Sequence, residues 1–192
     1  MRVLVLDNYD SFTWNLVQSM ESQGATCVVV RSDAIELEEI LRLDPDRIVL
    51  SPGPFGPERS GICPEVVRRV SPAVPTLGVC LGMQVIAVSA GASVVPSGKP
   101  VHGKSRRVTH DGRGVLRGLP SPFDAGLYHS LIVDPGTVPE QLLITARDED
   151  GTIMGCRIQG RPVHGLLFHP ESFLTPLGDR ILKTFLEGAD VV

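Results

Sequence analysis

The chain has 192 residues, 42% of them hydrophobic and 21% charged, with a formal net charge of −4. That length suits one domain able to bury a core without staples, and the slight acidity offers no basic face for nucleic acid. The four cysteines (Cys27, Cys63, Cys80, Cys156) form no C-x-x-C pair and show no metal-ligand spacing, so neither a disulfide framework nor a metal site is expected. Met1-Arg2-Val3-Leu4-Val5-Leu6-Asp7 opens as a strand rather than a signal peptide, and its apolar run is too short to cross a bilayer. A reducing cytoplasm is the expected setting.

Arg2 to Leu6 reads as a buried strand. Asp10-Ser11 supplies a helix cap, and Phe12, Leu16, Val17 and Met20 mark an apolar helix face that stops at Gly24. Ala25 to Arg31 is a second strand, Glu36 to Leu43 an amphipathic helix, and Arg47 to Leu50 a third strand. Ile62 to Val70 reads as a helix with Arg68 and Arg69 on its wet side. Val74 to Val79 is a short buried strand, and Gly82 to Ala90 a helix. This βαβα alternation predicts an α/β fold, an open and mostly parallel central sheet flanked by helices.

Past Ala90 the texture changes. Val94-Val95, Ser105 to Thr109, Pro122 to Leu127, Leu131 to Asp134, Leu142 to Ala146 and Ile153 to Ile158 read as short strands between Gly, Pro and Asp turns. They predict an additional mixed or antiparallel strand region. Val163 to Phe168 returns to the main sheet, and Thr175 to Leu186 closes the chain as a helix. With no repeat and no linker, residues 1–192 read as a single domain.

Gly78-Val79-Cys80-Leu81-Gly82 is a G-x-C-x-G pattern between a strand and a helix. Its serine counterpart marks a sharp turn that lifts a nucleophile above the sheet edge. The glycines allow strand and helix backbones to approach closely, and the helix N-terminus favours a thiolate. The plainer reading is a buried apolar cysteine after a strand; Cys27 and Cys156 read as core residues of that kind. A nucleophilic cysteine needs a base, and the base an orienting acceptor. His169-Pro170-Glu171 at the end of an apolar strand offers both. His102, His110, His129 and His164 compete as bases, but none precedes Pro-Glu at a strand end, and His110 beside Asp111-Gly112 reads as exposed in a turn. Ser51-Pro52-Gly53-Pro54-Phe55 is a rigid loop that can present backbone donors to an oxyanion, with Gly53 and Leu81 as the expected pair.

Gly78-Val79-Cys80-Leu81-Gly82-Met83-Gln84 together with Phe168-His169-Pro170-Glu171-Ser172 resembles the class I, or triad, glutamine amidotransferases. The stretch Asp7 to Leu16, Ser51-Pro52-Gly53-Pro54, His102-Gly103-Lys104 and Tyr128-His129-Ser130-Leu131 narrow the resemblance to the small glutaminase subunit of anthranilate synthase and aminodeoxychorismate synthase. It runs in order from residue 1 to about residue 187.

The resemblance implies a Cys80-His169-Glu171 triad that hydrolyses L-glutamine to glutamate and ammonia, with Gly53 and Leu81 at the oxyanion. It also implies glutamine contacts from Gly53, Phe55, Leu81, Gln84, Ser130 and Leu131. No metal or cofactor is implied in this chain. The implied partner and ammonia acceptor is a larger chorismate-binding synthase subunit, with its own magnesium. The opening motif leans slightly toward aminodeoxychorismate over anthranilate as product, and one small subunit can serve both. The departures below also admit a specialised chorismate-derived pathway. Asn8-Tyr9-Asp10-Ser11 reads equally as a loop and cap or as part of the partner-facing surface. His102-Gly103-Lys104 reads as a turn or a loop near that contact, and Gln84 as a solvated helix residue or a substrate ligand.

Four positions depart from the family pattern. Phe55 stands where glycine is common, Leu127 where arginine usually precedes Tyr-His-Ser-Leu, Leu167 where glutamine often precedes Phe-His-Pro-Glu, and Ile158 where histidine often follows Met-Gly-x-Arg. None removes a triad member. The competing functions are another thiol hydrolase such as a cysteine peptidase or γ-glutamyl hydrolase, a decayed structural partner, and the glutaminase of a different amidotransferase.

Overall fold

The computed structural model describes residues 1–188. In chain order the elements are β1 (Arg2–Asp7), α1 (Thr13–Ser22), β2 (Thr26–Arg31), α2 (Leu37–Leu43), β3 (Arg47–Leu50), α3 (Cys63–Arg69), β4 (Thr76–Val79) and α4 (Leu81–Ser89). They continue with β5 (Val94–His110), β6 (Phe123–Val133), β7 (Leu142–Asp148), β8 (Ile153–Ile158), β9 (Val163–Leu166) and α5 (Gly178–Glu187). The strands form one nine-stranded sheet in the order β2-β1-β3-β4-β9-β8-β7-β5-β6. Pairing is parallel from β2 to β9 and antiparallel from β9 to β6.

The apolar runs explain that division. β1, β3, β4 and β9 are buried almost throughout because helices cover both faces, whereas edge strand β2 is only half-buried. Leu4, Leu6, Ile48, Leu50 and Leu77 are fully buried, each contributing about 1.5–3 kcal/mol.

Register aligns the strand ends. Leu6 pairs with Leu50, Leu50 with Gly78, and Gly78 with Gly165, so one row crosses four strands at their carboxyl ends. The loops carrying Asn8, Gly53, Cys80 and His169 leave the sheet within four residues of that row. The chain reverses direction across the sheet between β1 and β3, and ligand crevices open at such points.

Several expected boundaries move. Val94-Val95 and Ser105 to Thr109 belong to the single strand β5, which absorbs register shifts between Pro96 and Val101 and between His102 and Lys104. His102-Gly103-Lys104 is therefore an irregular stretch inside a strand, with Gly103 at φ +66, rather than a turn or loop. Pro122 to Leu127 and Leu131 to Asp134 likewise fuse into β6, so Tyr128-His129-Ser130 lies in mid-strand. Cross-strand pairing on either side of these shifts outweighs the local Gly and Pro signals. The final helix begins at Gly178, not Thr175, and α1 begins at Thr13 with no side-chain cap; the Asp10 carboxylate instead accepts from the Phe12 N–H. His110 closes β5 with its ring against Phe123, so it is not an exposed turn residue.

Candidate active site

Cys80 is the single residue between β4 and α4, at φ 53 and ψ −103. A non-glycine residue there stores roughly 1–3 kcal/mol, so the surrounding packing has to hold it in place. Gly78 and Gly82 make that packing possible: a Cβ on Gly78 would overlap the Gly82 carbonyl, and one on Gly82 would overlap the Leu50 carbonyl oxygen. The Cys80 N–H donates to the Leu166 carbonyl at 2.7 Å, pinning the turn to β9. Residues Leu81 to Ala87 of α4 are buried, so the helix N-terminus meets Cys80 with little solvent screening.

His169 follows β9 by three residues. Its N–H donates to the Gly126 carbonyl on β6 at 3.0 Å, and its Nδ1 lies 2.6 Å from Glu171 Oε1. The side chains of His169 and Glu171 are 2% and 0% exposed, and Cys80 is 6% exposed. With Nδ1–H donated to the carboxylate, Nε2 remains for proton exchange with the thiol. Burial depresses the imidazolium, but the Glu171 carboxylate and the nearby Cys80 sulfur outweigh it and raise His169 to about 10. Nε2 itself has no hydrogen-bond partner of full geometry. The arrangement favours the imidazolium form of His169 beside the Cys80 sulfur.

Aromatic packing fixes the His169 ring. Phe12 lies 5.1 Å and Tyr128 5.0 Å from it, centroid to centroid, and the two lie 4.9 Å from each other. The Tyr128 hydroxyl is 3.1 Å from Ser172 Oγ.

Gly53 and the Leu81 side chain lie against each other. A Cβ on Gly53 would overlap the Leu81 side chain and sit 2.9 Å from the Asn8 carbonyl oxygen, so the loop after β3 lies directly on the start of α4. Leu81 opens that helix, where a backbone N–H has no carbonyl one turn back. Among the described residues, positive φ outside glycine occurs only at Tyr9, Asp44 and Cys80, so Phe55 sits in backbone that accepts its side chain. Its ring carries the Arg59 guanidinium at 3.5 Å. Gln84 is buried, and its Nε2 donates to the Leu131 carbonyl at 3.2 Å; it is not a solvated helix residue. Gln84 and Leu131 thus meet beside Cys80, while Ser130 is exposed.

Asn8 is buried, with its N–H on Ser51 Oγ at 2.8 Å and its Nδ2 on the Ser51 carbonyl at 2.9 Å. It cannot belong to a contact surface; Tyr9 beside it is exposed. The buried Asp7 carboxylate accepts from the Tyr9 N–H at 3.0 Å and the Thr13 hydroxyl at 2.9 Å, and pairs with Arg31 at 3.0 Å. It shapes the loop that delivers Phe12.

Leu127 and Leu167 are fully buried, so those departures place apolar side chains in the core. Cys156 is buried and Cys27 half-buried. His164 is buried away from the triad, and burial pushes it down to about 4.

Sequence reasoning quoted Asp7, Ser51 and Tyr128 within its motifs but gave them no individual role, and it named none for Thr175. Ser51, the Tyr128 ring and Thr175 act through contacts distant in sequence, on Asn8, His169 and Gly126. Among the described residues no His, Cys, Asp and Glu group of three or more could hold a metal, and no helix is long and apolar enough to cross a membrane.

A family model described as glutamine amidotransferase class-I matches residues 4–189. Anthranilate synthase component 2 of Thermus thermophilus is 52% identical over 190 residues, covering 97% of this chain and 92% of that protein. Aminodeoxychorismate synthase component 2 of Klebsiella aerogenes is 47% identical over 184 residues, covering 96% and 98%. The crystal structure of a Thermoplasma acidophilum protein, provisionally described as one of the subunits of GMP synthase, superposes with a TM-score of 0.86 at 24% identity, covering 97% of this chain and 92% of that one. That last likeness concerns the fold alone.

Proposed function

Since the chain belongs to the class-I glutamine amidotransferase family, we propose that it is the glutaminase subunit of a chorismate-using synthase, taking ammonia from L-glutamine for a larger partner. The observation that carries the chemistry is the buried 2.6 Å His169–Glu171 contact beside a cysteine held at positive φ on a helix N-terminus.

The Cys80 thiolate attacks the side-chain carboxamide carbon of glutamine. Gly53 and Leu81 N–H groups face the developing oxyanion, and each such donor is worth about 2.7–4 kcal/mol. His169, held by Glu171, gives its proton to the departing ammonia, leaving a γ-glutamyl thioester on Cys80. His169 then takes a proton from water, hydroxide attacks the thioester, glutamate leaves, and the thiolate returns. Gln84, Phe55, Ser130 and Leu131 surround the substrate.

Ammonia released to bulk water at neutral pH is protonated and lost as a nucleophile, so the product must pass to an acceptor site under cover. Exposed Tyr9, Trp14, Phe55 and Phe173 lie on loops or helix starts at the active-site end of the sheet, which suits the docking of a synthase partner. Magnesium is expected on that partner. Aminodeoxychorismate is the slightly favoured product on the Asn8 to Trp14 opening, with anthranilate as the alternative.

The test is glutamate release from glutamine by the chain alone and with the large subunit of either synthase, with chorismate and magnesium present. Turnover that is low alone and rises with one synthase supports the reading and identifies the product. No turnover with any partner by a folded protein overturns it in favour of a decayed site. Cys80→Ser is expected to abolish glutamine-dependent synthesis and spare ammonia-dependent synthesis.

A further inference from the structure

The segment from His169 to Gly178 carries two of the three catalytic groups yet belongs to no helix or strand for most of its length. Its attachment to the sheet is a closed ring of hydrogen bonds. The His169 N–H donates to the Gly126 carbonyl at 3.0 Å, the Gly126 N–H donates to Thr175 Oγ1 at 2.9 Å, and Thr175 Oγ1–H donates to the His169 carbonyl at 2.6 Å. The Thr175 hydroxyl therefore fills the place of the reciprocal bond that Gly126 and His169 would exchange in an antiparallel ladder. Thr175 is buried, and the segment lies tight on β6: a Cβ on Gly126 would sit 2.9 Å from both Leu174 Cβ and Ser172 Oγ.

We propose that Thr175 is a positioning residue for the triad, setting the His169 main chain against β6, the strand that also carries Tyr128, Ser130 and Leu131. A hydroxyl is needed because one atom must accept from Gly126 and donate to His169, and the β-branch stiffens its rotamer. Through that ring the height of His169 over Cys80 and the height of the glutamine-facing strand are set together. The inference rests on the Cys80-His169-Glu171 reading.

The experiment uses the purified full chain, with and without its activating synthase partner. The rate of Cys80 alkylation by iodoacetamide is followed against pH by mass spectrometry of its peptide, alongside kcat and KM for glutamine and the melting temperature. Thr175→Val keeps the shape and removes the hydroxyl. The expected result is an alkylation curve moved to higher pH by about one unit and kcat lowered roughly 10²-fold with KM within a few-fold, as for a reacting group misplaced by about an ångström. Thr175→Ser restores both. A folded Thr175→Val that melts lower but keeps the wild-type alkylation curve and kcat overturns the proposal, because a purely structural role moves stability alone. If Thr175→Val does not fold, Thr175→Cys, which keeps the volume but replaces the hydroxyl with a weak thiol donor and acceptor, decides in the same way by the presence or absence of the shift. Wild-type Cys80 titrating as an ordinary thiol would instead overturn the triad reading itself.

Discussion

Gly82→Ala isolates the role of close backbone approach at the nucleophile turn. The new Cβ would lie 2.9 Å from the Leu50 carbonyl carbon and Leu50 Cβ, and nearer still to the carbonyl oxygen. Carbon atoms rest at about 3.5–4.0 Å, so α4 must back away from β3 by on the order of 1 Å. Overpacking of that kind costs about 1–3 kcal/mol, and replacing a helical glycine by alanine returns about 0.5–1 kcal/mol. The net loss, about 1 kcal/mol at the middle of those ranges, lowers the melting temperature by roughly 2–5 °C in a domain this size. Activity should suffer far more than stability. The displaced helix carries the Leu81 N–H and the Cys80 turn, and a 1 Å misplacement costs about 10²-fold in rate. A thermal melt together with partner-activated glutamate release checks both. An alanine variant with wild-type turnover would refute the claim that backbone contact at Gly82 sets the catalytic geometry.

Three further outcomes are expected. Glu171→Gln keeps the shape but removes the charge that favours the His169 imidazolium, so kcat in the glutaminase assay should drop on the order of 10²–10⁴-fold. Because His169 is raised in the fold, the stability this pair contributes is full below the ordinary histidine range and is lost as pH rises through the folded value; denaturant titrations should show the gap between wild type and Glu171→Gln narrowing at alkaline pH. His164 has the opposite sign: burial lowers it from 6.5 to about 4, so its contribution is full above pH 6.5 and lost as pH falls toward 4. That loss is about 3 kcal/mol, and His164→Gln should flatten the slope, with His129, which burial also lowers, acting in the same direction. Asp7→Ala strands the Tyr9 N–H and the Thr13 hydroxyl and should cost about 2–4 kcal/mol by chemical denaturation, whereas Arg31→Ala, which removes a half-exposed partner, should cost less than about 1 kcal/mol.

Chemistry written into short stretches was legible in the sequence, and packing was not. The G-x-C-x-G turn and His169-Pro170-Glu171 depend on neighbours within two residues, so local backbone rules and side-chain reach suffice to pair Cys80 with a helix N-terminus and His169 with an acceptor. The parallel half of the sheet was legible for a similar reason, since β1, β3 and β4 are buried on both faces and their composition reports it. Only the tertiary structure decided the rest. β5 and β6 are single long strands because cross-strand pairing carries them over Gly103 and through Tyr128-His129-Ser130, which local propensity reads as breaks. Asn8 turned inward because Ser51, brought level with it by the β1–β3 register, offers both an acceptor hydroxyl and a carbonyl. Thr175 acquired its place between Gly126 and His169 only when β6 came to lie beneath the loop after β9. A residue's own type determines which bonds it can make, but a partner far along the chain is chosen by how the strands pair and stack.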